Sequence, residues 1–282
     1  MAGESMDSHN NQKKIAAIND MSGFGRCSLS VSLPVISHLG VQACALPTAV
    51  LSNHTGFESF LCVDLTDIMQ GYIDEWKKLD LRFDGIMTGF LGSVKQIDIV
   101  EGFIRDFDGP GTTVIVDPVM GENGKMYPTY TEQMCDELRR LVAHADIATP
   151  NVTEACILTG TEYKETGWSG DELEKMSRGI MELGARQVVI SGIIEGEMLA
   201  NSVCGPDGFF RVTRQKTVGR TRSGTGDIFA AVIAACAVKG EDLFESVEKS
   251  AAFISECIRA TEARDIPLTD GVCFEDVLSK LG

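Results

Sequence analysis

The stretch Ser223-Gly224-Thr225-Gly226-Asp227 sets small residues and one carboxylate directly before the apolar run 228–235. Small residues leave backbone N–H groups bare at the mouth of a helix, where unpaired amides and the positive end of the helix dipole hold an anion. A carboxylate beside such a hole suits the transfer of a phosphoryl group to an alcohol. The same residues also make an ordinary helix start capped by Thr225 or Asp227, and the other motifs decide between the two.

Asp117-Pro118-Val119-Met120-Gly121 follows a β-branched run, so a carboxylate stands where the chain must turn. A hard cation such as Mg2+ takes carboxylate, water and phosphate oxygens, and Asp117 can supply one directly or through water; an Asp capping a turn before Pro is the plainer alternative. In Thr149-Pro150-Asn151-Val152-Thr153-Glu154, Asn151 and Glu154 lie three apart and project from one side of a first helical turn. They suit the water shell of a metal and phosphate, and they equally make a good helix cap. Ser52-Asn53-His54-Thr55-Gly56-Phe57 gathers hydrogen-bonding side chains suited to a polar small molecule. A lone His is more often structural, so His54 receives no proton-transfer role. Gly124-Lys125-Met126-Tyr127 reads either as a flap that closes over a nucleotide or as a plain surface loop.

These motifs must be positioned by a scaffold, and the pattern supplies one. Strands are expected at 14–18, 41–50, 83–88, 112–117 and 145–149, alternating with helices at about 27–39, 64–78, 93–107 and 131–143. Continuous apolar runs such as Thr113-Val114-Ile115-Val116 belong to a parallel sheet covered on both faces. Two strand-like runs around Gly205-Pro206-Asp207-Gly208 predict an antiparallel hairpin over 196–213 at one edge, and the last seventy residues read as mostly helical. The polar clusters at 19–25, 52–56, 88–89, 117–121, 149–154 and 191 all fall at strand ends, where ligands bind in open sheets of this kind. The expected fold is therefore a three-layer α/β/α sandwich with a mostly parallel central sheet, one domain over 13–282 after a loose tail at 1–12.

With 41 acidic and 25 basic residues the formal charge is −16, which opposes nucleic acid or anionic lipid as a partner. Against that background Arg211, Arg214, Lys216, Arg220 and Arg222 precede the glycine loop without an intervening acid. They make either a local positive field for a polyphosphate or the outward positions of a surface strand. Nine scattered cysteines without a C-x-x-C pair read as reduced hydrophobes. The polar first dozen residues are no secretion signal, and the longest apolar run is too short to span a bilayer. A cytoplasmic protein is expected.

Taken in order, Gly23-Phe24-Gly25, Asp117-Pro118-Val119-Met120-Gly121, Thr149-Pro150-Asn151 with Glu154, and Gly224-Thr225-Gly226-Asp227 resemble the ribokinase superfamily. Within it, Ser52-Asn53-His54-Thr55-Gly56, Met126-Tyr127 and the stretch 145–151 resemble the pyridoxal (pyridoxine, pyridoxamine) kinases. The resemblance implies ATP and Mg2+, a monovalent cation such as K+, a vitamin B6 vitamer as substrate, and a homodimer. It implies that Asp227 is the base, with Gly224, Thr225 and Gly226 as the anion hole. Asp117, Asn151 and Glu154 would manage the metal and its waters, while Thr149 and Ser191 lie near the nucleotide phosphates, Thr149 beside the monovalent ion. Val218 would lie near adenine and Tyr127 in the lid. Thr55, Phe90 and either Asp20 or Ser22 would meet the substrate ring. Phe90 stands where some relatives have Tyr, which keeps stacking and loses a hydroxyl.

A hydroxymethylpyrimidine kinase is the nearest rival; that branch usually carries Cys where this chain has Asp227. Sugar and nucleoside kinases usually add a small β-sheet lid early in the chain, for which the residues between 50 and 64 leave little room. A non-catalytic B6- or nucleotide-binding protein would not need Asp227 beside an intact glycine loop. A dinucleotide-binding dehydrogenase lacks its third glycine and ribose-binding acid.

Overall fold

The computed structural model describes residues 8–282, so most of the expected 1–12 tail lies outside the described residues. The chain runs β1 (Lys14–Ser22), α1 (Leu29–His38), β2 (Gln42–Leu51), β3 (Cys62–Asp64), α2 (Thr66–Lys78), β4 (Gly85–Thr88), α3 (Val94–Phe107) and β5 (Thr113–Val116). It continues through β6 (Gly121–Glu122), β7 (Lys125–Met126), α4 (Glu132–Val142), β8 (Ile147–Ala148), α5 (Val152–Thr159) and α6 (Gly170–Glu182). β9 (Gln187–Glu195), β10 (Met198–Cys204), β11 (Phe210–Lys216), α7 (Thr225–Lys239) and α8 (Leu243–Glu262) complete it.

Nine strands form one sheet in the order β11-β10-β9-β8-β5-β4-β1-β2-β3. The six from β9 to β2 pair in parallel, and β10, β11 and β3 are antiparallel additions at the two edges. Side chains alternate across this sheet because successive Cβ atoms point to opposite faces. Ala16, Ile18, Ile86, Val114, Val116, Val188 and Ile190 join one core with α2 to α6. Ile15, Ala17, Met87, Ile115 and Val189 join the other with α1, α7 and α8. The α/β/α sandwich expected from the sequence follows, every central strand being sealed on both faces.

The helices start where side chains satisfy their first amides. Ser93 Oγ accepts from Gln96 N at 3.3 Å, Thr131 Oγ1 from Met134 N at 3.2 Å and Asp242 Oδ1 from Glu245 N at 3.0 Å. In α4, Met134, Cys135, Leu138, Leu141 and Val142 recur at helical spacing and are buried together.

Four sequence expectations are refined. β1 does not stop at Ile18: it continues through Ser22, with a register shift against β2 between Asn19 and Met21, so Asn19 and Asp20 are strand residues at the sheet's end. The segment after β2 adds a short antiparallel strand, β3. The stretch around Gly124 is a two-residue hairpin, with Asn123 at φ 53° and Gly124 at φ 75° matching a type I′ turn. The basic segment is engaged in part, while Lys216 and Arg220 are exposed. Arg214 pairs with Glu195 at 2.7 Å, and Arg211 lies over the rings of Phe209 and Phe244. Arg222 is buried, bonding Glu262 and the carbonyls of Ile266 and Pro267, because its loop runs beneath the C-terminal segment.

Candidate active site

Strand ends bring the polar clusters to one side of the sheet: Asn19 to Ser22 on β1, Thr88 on β4, Asp117 after β5, Thr149 after β8 and Ser191 on β9. Asn151 and Ser191 continue that edge as an isolated parallel bridge. α7 begins beside β1, and its N-terminus has no side-chain cap. The first amides of a helix have no intrahelical partner, so this mouth presents bare donors. Gly224 takes φ 88°, and a Cβ there would stand 2.4 Å from the carbonyl oxygen of Arg26, which makes glycine obligatory. A Cβ at Gly226 would meet nothing within 4 Å, so the mouth is open on that side. Thr225 turns its hydroxyl back to the carbonyl of Arg222 at 3.2 Å, leaving its amide uncovered.

Asp227 lies in the first turn of α7, half-buried. Burial pushes its carboxyl up to about 6, with a backbone hydrogen bond at Ser28 and the Asn19 amide opposing the rise. Asn19 Nδ2 donates to Asp227 Oδ1 at 3.2 Å. Asp117 is raised well above the usual carboxylate range by burial and by the nearby charges of Glu154 and Asp227. Glu154 is pushed up to about 7 by burial, although its oxygens accept from the amides of Asn151 at 2.8 Å and Met120 at 3.0 Å. Burial also raises the Tyr127 phenol, followed by the charges of Glu122, Glu154, Asp117 and Asp227, so Tyr127 faces the same acidic group. An acidic group of this kind needs a cation before it can take a polyphosphate.

The donors suit a hard cation held largely by phosphate and water. Among the described residues no three His, Cys, Asp or Glu side chains gather as a ready-made metal cage. Among the described residues no hydrogen bond steadies the Asp117 charge, and the hydroxyls of Thr149 and Thr88 are buried with no partner. Buried polar atoms of this sort are normally satisfied, and a bound ion or phosphate oxygen would supply the missing partner. Glu154 has both oxygens on backbone amides and fits an indirect role.

Asp20 is buried, its oxygens accepting from Ser28 Oγ at 2.5 Å and Ser22 Oγ at 3.0 Å; burial raises its pKa and these two hydroxyls oppose the rise. Asp20 and Ser22 are thus bonded to each other. Phe90 is half-buried, its ring 6.0 Å from that of Tyr130. Thr55 is exposed on the loop between β2 and β3. Val218 packs at the edge of the second core, beside Gly219, which abuts Ile258 and Glu262 on α8. His54 Nε2 bonds the carbonyl of Thr269 at 2.7 Å and Nδ1 accepts from Gly56 N at 3.0 Å, so both ring nitrogens are occupied.

Asn19 and Thr88 fall in the strand-end clusters at 19–25 and 88–89, but the sequence assigned neither a role of its own. One further neighbour of the site went unmarked. Cys27, whose thiol is pushed up to about 12 by burial and then by Asp227, looked like any scattered cysteine.

A parallel sheet sealed by helices, with an uncapped helix mouth and an acid beside it, defines a small-molecule kinase of ribokinase-like fold. The phosphomethylpyrimidine kinase family model matches residues 30–270, and the chain belongs to that family. A Bacteroides thetaiotaomicron protein provisionally assigned as a phosphomethylpyrimidine kinase, crystallised with pyridoxal, is similar at 38% identity and a TM-score of 0.92 over 96% of each chain. The hydroxymethylpyrimidine/phosphomethylpyrimidine kinase of Bacillus subtilis is 30% identical over 185 residues, 64% of this chain and 66% of that protein. The pyridoxine/pyridoxal/pyridoxamine kinase of Bordetella avium is 26% identical over 263 residues, 89% of this chain and 86% of that protein. The protein is a kinase of the group that joins pyridoxal and hydroxymethylpyrimidine kinases.

Proposed function

We propose that this kinase uses ATP to phosphorylate the 5′-hydroxymethyl group of a vitamin B6 vitamer: pyridoxal, pyridoxamine or pyridoxine. The observation that carries the reading is the α7 mouth, where glycine in a left-handed conformation leaves the first amides bare and Asp227 stands in the same turn. The amides of Thr225 and Gly226 hold the transferring phosphoryl oxygens, and each donor of this kind is worth roughly 2.7–4 kcal/mol in a transition state. Asp227 accepts the proton of the attacking hydroxyl. A carboxyl at about 6 is a stronger base than an exposed one and is still mostly ionised near neutrality. Phosphoryl transfer proceeds through a loose transition state, so the proton moves late and positioning contributes most.

Bound through Asp117, a Mg2+ ion would neutralise phosphate charge in this acidic cleft, with Asn151 and Glu154 orienting its waters. Thr149, with its free hydroxyl, takes a monovalent ion or a phosphate oxygen, and Ser191 lies alongside. Val218 lines the adenine end, Tyr127 covers the cleft from the hairpin side, and Thr55, Phe90, Asp20 and Ser22 form the ring pocket. Pyridoxal bound to the Bacteroides relative supports a B6 ring there. The family match and the Bacillus relative support hydroxymethylpyrimidine as the second reading.

One catalytic domain over 13–282, assembled as a homodimer, is part of the proposal. Exposed Val50, Leu61, Val63, Ile68 and Tyr72 gather along the β2–β3 edge and the start of α2, and an apolar edge of this kind supports pairing with a second copy. Nine free thiols support a reducing compartment such as the cytoplasm, and no helix among the described residues is long and apolar enough to cross a membrane.

The deciding assay supplies ATP with pyridoxal, pyridoxamine, pyridoxine and hydroxymethylpyrimidine in parallel and reads ADP release together with the phosphorylated product. A B6 vitamer is expected to give the highest kcat/KM. Turnover of hydroxymethylpyrimidine alone would overturn the B6 assignment.

A further inference from the structure

Asn19 lies at the end of a buried strand, only 4% exposed. Its carbonyl oxygen accepts from two backbone amides, Asp20 N at 2.9 Å and Phe90 N at 2.8 Å. Those two donors fix which way the amide faces, since a flipped group would set NH2 against N–H. The NH2 end is therefore left to Asp227 Oδ1, at 3.2 Å. Gly89 closes the arrangement: its amide is tied to Ile18 O at 2.8 Å, and a Cβ on it would lie 2.4 Å from Asn19 Nδ2. One side chain thus joins the ends of β1 and β4 to the first turn of α7.

We propose that Asn19 is the positioning residue for the catalytic acid, holding the Asp227 carboxylate in one orientation at the mouth of α7, and that Gly89 is glycine to leave room for it. The inference rests on the reading of Asp227 as the base. The titratable groups around Asp227 are Asp20 on β1, Cys27 before α1, Asp117 after β5 and Tyr127 after β7. None of them is a cation. Asn19 is the one side-chain donor to Asp227 among the described residues. The backbone hydrogen bond at Ser28 survives the loss of Asn19, but a carboxylate set among anions and held by one donor fewer turns or protonates more readily. Contacts of this indirect kind fix the geometry of a reacting group.

The test uses the full chain with two substitutions that reach the contact from opposite sides. Asn19→Asp is isosteric and keeps the oxygen that bonds the two backbone amides, replacing only NH2 by oxygen. Gly89→Ala leaves Asn19 in place and displaces its amide. Pyridoxal and hydroxymethylpyrimidine are both supplied, thermal melts report folding, and calorimetry reports ATP affinity. Both variants are expected to lose about tenfold to a hundredfold in kcat, with ATP Kd within about twofold of the parent. The acidic limb of kcat for Asn19→Asp is expected to move to higher pH, because paired carboxylates raise one another. If Asn19→Asp does not fold, the kcat of Gly89→Ala decides. Unchanged kcat in a folded variant, or a loss confined to KM, overturns the proposal. Asp227→Asn serves as the control. If it is active, the base assignment falls and the Asn19 role with it; if it is inactive while both other variants turn over normally, only the positioning role falls.

Discussion

The N-terminus of α5 closes on itself: Asn151 Oδ1 accepts from Glu154 N at 3.0 Å, and Glu154 Oε2 accepts from Asn151 N at 2.8 Å. The N-terminus of α7 has no such reciprocity, only Gly224 in a left-handed turn and a first turn without a side-chain cap. Both belong to the same group of motifs, and in sequence both look like places for phosphate. A satisfied capping box has little left to offer an anion directly, so α5 contributes a braced carboxylate while α7 contributes open donors. On the proposed reading, a helix mouth that binds phosphate gives up the cap that would have stabilised it.

This contrast has a signature: damage at α7 should register in turnover, and damage at α5 in stability. Among the glycine and cap variants the largest effect is expected from Gly224→Ala, which forces φ 88° on a residue with a Cβ and drives that Cβ against Arg26. The proposed anion hole is then distorted, and kcat is expected to fall by about a hundredfold to a thousandfold, measured by ADP release at saturating ATP. Gly226→Ala separates the two quantities more cleanly. Its Cβ enters open space, so the melting temperature should hold or rise, since Ala is the better helix former by roughly 0.8–1 kcal/mol. A loss of about tenfold in kcat/KM for ATP is expected from the methyl group at the phosphate's approach. The smallest effect on turnover is expected from Asn151→Ala, which removes one half of the capping box and should cost about 1 kcal/mol in chemical denaturation while raising the Mg2+ concentration needed for half-maximal rate. A hundredfold loss of kcat in Asn151→Ala with unchanged stability would erase the distinction between the two mouths.

The pH dependence sharpens the same point. Asp227 is raised from 3.8 to about 6 and Glu154 from 4.5 to about 7, in both cases chiefly by burial. A carboxyl with a raised native pKa adds stability that is fully present below its unfolded value and is lost as pH rises through the native value. Turnover is expected to behave oppositely, because the proposed base must be ionised: kcat should decline as pH is lowered through about 6. Melting temperature and kcat measured across this window should therefore move in opposite directions.

Much of the scaffold was legible in the sequence because buried parallel strands are continuous apolar runs and their helices carry a clear period. The glycine loop and the strand-end clusters were legible for the same reason: polar residues interrupt apolar runs where the chain turns. Contacts between distant segments were not. Asn19 and Asp227 are 208 positions apart, and nothing local marks their pairing. Arg222 read as a surface cation, yet carbonyls of the C-terminal segment and Glu262 enclose it. Short β3 owes its existence to pairing with β2, and its three residues give too little alternation to be seen.

Asp227→Asn, compared with the parent chain for single-turnover phosphoryl transfer and for ATP affinity, tests the central claim most directly. The account expects a fall in the chemical step of about a thousandfold or more, in the range of removing a catalytic base together with its geometry. ATP should bind within about twofold of the parent, and the melting temperature near neutrality should rise because a desolvated charge has gone. A variant that transfers phosphate at a rate close to the parent's would contradict it.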